Sequence, residues 1–318
     1  MPVAKAGPKQ GRGYTMDELV NILERPRAEE IYLIAGWHQW ADAGAISSTL
    51  PQYLIDLTEA RKIAEIKTNG FYLFQIPGTH GFLRPEVKLE EGYRKSMTSN
   101  SNEFYYMGDD KRGLVIFLGH EPHLNGERYA EAFLNAVKEL GVKRVVVVGG
   151  VYGSMPYDQD RAVSCTYSLP GMKEELEEYA VNFSNYEGGV SIGTYMAHHA
   201  EAAGVPLVVF YAFVPAYDFS SLTDKLQGMR VENDFKAWHE LMRRMNHMLK
   251  LGLDLSDLER RSSELTTSIA EKIAEIDNKL PQINIHEFMD KLGSDFTETP
   301  FMPLDVWQRG LEDLFKDE

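Results

Sequence analysis

Over its first 220 residues the chain alternates short apolar runs with stretches of helical periodicity. The first run, EIYLIAG at 30–36, predicts a strand. A helical stretch comes next, with Ile46, Leu50, Tyr53, Leu54 and Leu57 on one face. Pro51 lies within it, and an interior proline loses a hydrogen bond, so a kink is expected there. Residues 60–107 then read as a meander or hairpins built on KIAEIKT, FYLFQI and NEFYYMG. The alternation resumes with LVIFL at 114–118 and a helix over 127–140, which places Tyr129, Phe133, Ala136, Val137 and Leu140 on its core face and stops before Gly141. RVVVV at 144–148 is β-branched and almost wholly apolar, as suits a parallel strand covered on both faces. A strand at 163–169, a short acidic helix at 172–179, a helix at 191–203 opened by Gly188-Gly189 and a buried strand at 206–213 complete the series. Strand–helix alternation of this kind predicts a mixed, mostly parallel, doubly wound sheet with helices on both faces.

From about Ser220 the strand signal stops. Phe235, Trp238, Met242, Met245 and Leu249 recur at spacings of three and four, and so do Leu258, Leu265, Ile269, Ile273 and Ile276. Two amphipathic helices joined near 252–256 are expected, forming an antiparallel hairpin that packs either on its own core or on a partner subunit. Pro281 and Pro300 divide the remaining residues into short helical segments near 285–292 and 305–315. The expected division is a sheet-based core over 1–225 and a helical C-terminal part over 226–318.

Composition narrows the function classes. The formal charge is −15, and the longest basic clusters are pairs such as Arg243-Arg244 and Arg260-Arg261. Nucleic-acid binding needs a basic face, so no nucleic-acid partner is expected. The longest apolar run, 205–216, contains two prolines and is too short to span a bilayer, so no membrane partner is expected either. The N-terminal MPVAKAGPKQGRG lacks the apolar stretch of a secretion signal. The single cysteine, Cys165, sits in a strand-like run and forms no disulfide within the chain. A cytoplasmic location is expected from these features.

Several ordered motifs resemble one family. Trp40-Ala41-Asp42-Ala43-Gly44 after the first strand resembles the G-W-x-D-A-G signature of the PAC2 (proteasome assembly chaperone 2-like) family. Gly119-His120-Glu121-Pro122 resembles its G-x-E-P segment, and Gly141-Val142 with Gly149-Gly150 resembles its helix end and strand-ending G-G. Tyr186-Glu187-Gly188 and Val214-Pro215-Ala216-Tyr217 resemble its Y-x-G and V-P-x-Y elements. The order and spacing agree over roughly residues 30–280. Two departures stand out: Gln39 precedes Trp40 where the family carries Gly, and Gly126 precedes Glu127 where a bulky residue is usual. The resemblance implies a three-layer α/β/α core similar to purine nucleoside phosphorylases and related hydrolases, a helical C-terminal extension, and assembly into homo-oligomers. Eukaryotic relatives assist assembly of the proteasome α-ring.

In open α/β sheets, ligands bind beyond the carboxyl ends of the strands. Four such ends carry functional side chains: Trp37, His38, Trp40 and Asp42; His120, Glu121, His123 and Asn125; Tyr152, Tyr157, Asp158 and Arg161; Tyr217 and Asp218. Asp42 precedes a run of small residues and reads either as a helix cap or as a base. Glu121 and His123 are the other acid/base candidates. Trp37, His38, Trp40, His120, Tyr157, Arg161 and Tyr217 are the candidate ligand contacts. His120-Glu121-Pro122-His123 lies in a loop and lacks the helical i, i+4 ligand spacing, so no metal is expected. No cofactor is implied: the Gly188-Gly189 turn lacks a Walker lysine, and no Gly-x-Ser-x-Gly elbow occurs. Two functions remain open. One is an oligomeric assembly or scaffolding protein, with a protein partner reached through the C-terminal helices. The other is a phosphorylase- or hydrolase-like enzyme, or a small-ligand-binding module, acting on a nucleoside-like or other small polar molecule.

Overall fold

The valine-rich run forms the centre of a sheet in the computed structural model, which describes residues 19–76, 83–220, 222–223 and 228–295. Strand β8 (Arg144–Gly153) lies between β2 (Glu30–His38) and β11 (Leu207–Tyr217), parallel to both. On its other side β2 pairs in parallel with β7 (Arg112–His120). Antiparallel strands extend this parallel centre. Beyond β7 come β6 (Asn102–Gly108), β3 (Arg61–Ile66) and β1 (Val20–Ile22). Beyond β11 come β9 (Val163–Tyr167), antiparallel to it, and β10 (Asn182–Phe183), parallel to β9. A short β12 (Met229–Arg230) pairs with the end of β11.

Alternation along the strands divides the interior into two cores. Leu33, Ala35, Val145, Val147, Leu207 and Val209 point to one face, where α2 (Gly126–Glu139) and α4 (Ile192–Ala203) lie. Ile34, Val146, Val148, Val208 and Phe210 point to the other. There they meet α1 (Thr49–Thr58), the single turn α3 (Lys173–Leu176) and α5 (Phe235–Leu249). The result is a three-layer α/β/α arrangement, and side chains that alternate between two buried faces explain the apolar runs. The C-terminal helices pack on the chain's own core: Ala237, Trp238, Leu241, Met242 and Met245 of α5 belong to the second cluster. Helix α6 (Ser256–Lys279) lies along α5, and α7 (Ile285–Asp295) comes after it. The helix expected at 305–315 lies outside the described residues.

Two expectations are corrected. Helix α1 starts at Thr49, so Pro51 falls in the first turn, where its missing N–H costs no helical bond and no interior kink arises. FYLFQI at 71–76 is not a strand. It crosses the strand ends as a loop, and the Phe71 carbonyl accepts the N–H groups of His123 and Leu124 at 2.8 and 3.0 Å. The true hairpin of that region is a separate two-stranded sheet, β4 (Glu86–Glu90) and β5 (Tyr93–Thr98). Its charged alternation, with every residue exposed, gave no buried face to detect.

Phe133 of α2 is fully buried, with ring centroids 5.0 Å from Phe117, 5.4 Å from Trp37 and 6.0 Å from Phe104. Truncating a buried phenylalanine of this kind costs about 3–5 kcal/mol. Urea denaturation of Phe133→Ala is expected to show a loss of that size; a loss below about 1 kcal/mol would contradict the packing described.

Candidate functional site

Parallel pairing in register brings the carboxyl ends of β2, β7, β8 and β11 to one edge of the sheet. His38 lies directly across from His120, and their rings stack at 4.5 Å with 23° between planes. Asp42 forms a parallel bridge with Gly150 just past the pairing of β2 with β8. Glu121 stands just after β7 and donates its backbone N–H to the His38 carbonyl at 3.1 Å. Tyr217 closes β11 at the same edge. Trp40, Asp42, Glu121 and Tyr217 therefore share one rim of the molecule.

The turn at residues 40–44 is built by its own side chains. The Asp42 carboxylate accepts the backbone N–H groups of Ser47 and Ser48 at 2.7 and 3.0 Å and the Ser48 hydroxyl at 2.6 Å. These bonds satisfy backbone donors just ahead of α1 and close the turn on itself. Burial pushes its carboxyl above the usual aspartate range, and the bonds from Ser48 and Ser47 pull it partly back. The Gly150 N–H donates to the Ala41 carbonyl at 2.9 Å. A Cβ on Gly150 would stand 2.0 Å from the Ala43 carbonyl oxygen, so this crossing admits no side chain. Gly44 has φ +65, and its carbonyl accepts the Asp234 N–H at 3.1 Å and the Trp238 indole N–H at 2.9 Å. The turn after β2 is thereby the seat on which α5 starts.

Asp234 completes that seat. Its carboxylate caps α5 through the Ala237 N–H at 3.1 Å and accepts Arg161 Nε at 2.8 Å, with both charged side chains fully buried. Arg161 also donates to the carbonyls of Tyr157 and Gln159, each at 3.0 Å. A buried pair survives only when its remaining donors and acceptors are satisfied, and here they are.

These contacts correct three sequence expectations. Trp37 is fully buried between Phe117 and Phe133, and its indole N–H donates to the Tyr129 hydroxyl at 2.9 Å, so it offers no face to a ligand. Arg161 is engaged by Asp234 and by backbone carbonyls. Tyr217 is buried, and its hydroxyl donates to the Met155 carbonyl at 2.8 Å. Tyr157 is half-buried, and burial first, then the Asp158 charge, raises its hydroxyl.

The other candidates remain reachable. Glu121 is half-buried; burial raises its carboxyl, and the Trp40 backbone N–H draws it partly down. His38 is exposed, and desolvation, then the neighbouring His120, hold it below the ordinary imidazole range. Desolvation, then His120, likewise lower His123, whose Nδ1 accepts the Leu73 N–H at 3.1 Å. His120 Nδ1 faces the Ser101 N–H at 3.2 Å. Among the described residues, no group of three or more His, Cys, Asp or Glu side chains is placed to hold a metal ion.

Sequence reasoning missed Asn102, Tyr129 and Asp234. Asn102 is buried, and its Oδ1 accepts the Tyr72 and Tyr129 hydroxyls at 2.8 and 2.7 Å and the His120 N–H at 3.2 Å. This knot fixes the end of β7, but nothing about a lone asparagine at the start of NEFYYMG announces it. Asp234 was discoverable, because an aspartate just ahead of an amphipathic stripe is a cap signal.

Around the same rim, apolar side chains stand in solvent. Trp40 is 62% exposed, and Leu124 after β7 and Tyr152 near the end of β8 are also exposed. A cleft of about 560 Å³ opens nearby between β12 and α6, lined by Tyr152, Phe219, Met229, Arg230, Lys272 and Ile276 among others. Asp42, Glu121 and His123 do not line it.

An α/β/α protein with this signature turn at its strand ends is a defined class. The model of the PAC2 family matches residues 33–273, and the chain belongs to that family. Its fold is shared with the Mycobacterium tuberculosis proteasome-assembly chaperone homologue Rv2125, at 22% identity and TM-score 0.64, over 77% of this chain and 96% of that one. A PAC2 family protein from Streptomyces avermitilis is similar at 24% identity and TM-score 0.64, over 76% and 95% of the two chains. PbaB of Pyrococcus furiosus, an archaeal proteasome activator, is similar at 20% identity and TM-score 0.54, over 80% and 98%. No curated protein matches the chain significantly. Among the described residues, no helix is long and apolar enough to cross a membrane.

Two measurements check this site. Removing one partner of a buried ion pair costs about 3–5 kcal/mol, so Arg161→Met is expected to lose that much stability in urea; a loss under about 1 kcal/mol would contradict the seat. For Glu121, a carboxyl raised in the folded state binds its proton more tightly than in the unfolded chain. The stability this contributes is present below the ordinary glutamate value and is lost as pH rises through the folded value. Glu121→Gln should therefore gain on the wild type between about pH 4 and pH 7. A difference independent of pH across that range would refute the raised carboxyl.

Proposed function

We propose that this protein is an oligomeric, chaperone-like assembly protein of the cytoplasm that holds protein subunits rather than transforming a small molecule. One observation carries the reading: at the strand-end rim the polar groups of Asp42, Trp37, Arg161 and Tyr217 are engaged within the protein, while Trp40 and Tyr152 project into solvent. Exposed aromatics on a rigid rim are usual anchors of protein–protein contact. The names of the solved relatives, a proteasome-assembly chaperone homologue and a proteasome activator, support the same direction. The outer face of α6, largely exposed, offers a further protein-facing surface in the C-terminal part that begins near residue 226.

A second reading, a hydrolase- or phosphorylase-like activity on a small polar molecule, rests on Glu121. Its raised carboxyl stands beside the stacked His38–His120 pair and the exposed Trp40, a set with acid/base capacity. It predicts turnover of nucleosides or small amides that Glu121→Gln abolishes. No turnover and no ligand-induced thermal shift would remove it.

The assembly reading is tested by mixing the purified chain with unassembled proteasome α-type subunits and tracking ring intermediates by native electrophoresis. The wild type is expected to accumulate intermediates, and Trp40→Ala combined with Tyr152→Ala to weaken the effect by roughly tenfold or more. Identical assembly with and without the protein would overturn the proposal.

A further inference from the structure

The chain enters and leaves the β4–β5 hairpin beside two histidines of one tetrapeptide, His120-Glu121-Pro122-His123. On the entry side the Leu73 N–H donates to His123 Nδ1 at 3.1 Å. On the exit side His120 Nδ1 lies 3.2 Å from the Ser101 backbone nitrogen and 3.1 Å from the Ser101 carbonyl. A proton acts differently on these two contacts, because a ring nitrogen accepts a hydrogen bond only while it carries none. A proton on His120 Nδ1 is donated to the Ser101 carbonyl, so that contact survives by exchanging roles. A proton on His123 Nδ1 meets the Leu73 N–H, donor against donor. Among the described residues, no carbonyl is bonded to that nitrogen.

The start of the loop is held by groups that do not titrate near neutral pH. Phe71 is buried, and its carbonyl takes the N–H groups of His123 and Leu124. The Tyr72 hydroxyl lies 2.8 Å from both Asn102 Oδ1 and the His120 carbonyl, and Asn125 Nδ2 donates to the Gly70 carbonyl at 2.8 Å. After Leu73 the side chains of Phe74, Gln75 and Ile76 are exposed, and Gln75 bonds forward to Arg84 ahead of β4. The Leu73 contact thus sits where the fixed part of the loop gives way to the approach to the hairpin.

The titratable groups around His123 come from several elements. His120 ends β7, and His38 of β2 stacks on it at 4.5 Å. The Tyr72 ring stands edge-on to His123 at 5.6 Å and to His120 at 6.4 Å. Tyr129 of α2 packs against Phe71 at 5.2 Å and senses the charge of Glu121. Arg84 lies 4.8 Å over the Phe74 ring. Burial raises the Tyr72 and Tyr129 hydroxyls, so both keep their protons across the neutral range. Desolvation, then His120, hold the His123 imidazole below its ordinary range. A histidine lowered in this way binds its proton less readily in the anchored form. The contact is therefore whole above the ordinary imidazole value and is lost as pH falls through the lowered one.

We propose that the Leu73–His123 contact is a pH-sensitive anchor. With His123 neutral it fixes the entry to the β4–β5 hairpin on the sheet edge; with His123 protonated it releases residues 73–76 while the exit at Ser101 stays held. Acidification then changes how the hairpin is carried beside the rim that bears Trp40, whichever function that rim serves.

Amide hydrogen exchange of the full chain, read by mass spectrometry at about pH 7.5 and about pH 5 and corrected for the intrinsic rate at each pH, tests this. Protection of the peptide covering residues 72–76 is expected to fall about threefold or more at the lower pH, the loss of one partly exposed hydrogen bond, while β7 and β8 keep theirs. His123→Asn offers an amide oxygen in place of Nδ1 and takes up no proton, so its protection should be high and the same at both pH values. His123→Ala should be weakly protected at both. Glu121→Gln, which removes the neighbouring carboxyl, should keep the wild-type fall. Wild-type protection that does not change with pH overturns the anchor. So does a fall that persists in His123→Asn, full protection in His123→Ala at the higher pH, or a fall abolished by Glu121→Gln.

Discussion

Five residues between β2 and α1 meet demands from three sides of the molecule. The Asp42 carboxylate satisfies the backbone ahead of α1, and the Ala41 carbonyl takes the N–H of Gly150 from β8. The Gly44 carbonyl takes two N–H groups from the start of α5. Buried polar groups are costly unless paired, so each of these bonds depends on the others' geometry. The fully buried Arg161–Asp234 pair sits directly behind the last of them and ties the loop after β8 to the same helix. The helical C-terminal part is held to the sheet through this junction as well as through the apolar stripe of α5.

This junction changes how the signature residues are understood. An aspartate at the carboxyl edge of a parallel sheet invites a catalytic reading. Here its oxygens accept three hydrogen bonds from the turn it closes, and its position is set by the register of β2 against β8. The same edge leaves Trp40 and Tyr152 in solvent, presented by the turn and by the end of β8. A fixed scaffold with exposed aromatic anchors is well matched to gripping another protein surface.

Much of the layered core was legible in the sequence because its strands are buried on both faces and its helices carry strong stripes. RVVVV and LVIFL leave little alternative, and the stripe from Phe235 to Leu249 marks α5 within the residues it occupies. The failures have physical causes. Pro51 looked disruptive only because the helix start was placed too early. FYLFQI carries strand-like side chains, but its backbone bonds run to the loop after β7. The exposed hairpin has charged alternation and no burial to reveal it. At the rim, sequence placed Trp40, Asp42, Glu121 and Tyr217 at strand ends but could not say which faced inward. Burial of Trp37, Arg161 and Tyr217 is decided by partners distant in the chain, Tyr129, Asp234 and Met155.

Amide hydrogen exchange of Gly44→Ala tests the junction most directly. A Cβ at this left-handed position would lie 2.8 Å from Asp234 Cβ and 3.0 Å from Val214, so the substitution strains the turn and pushes α5 from its seat. Protection is predicted to fall across α5 and in the loop held by Arg161 while β2, β7 and β8 stay protected. Unaltered protection in α5, or an equal loss throughout the sheet, would contradict the account.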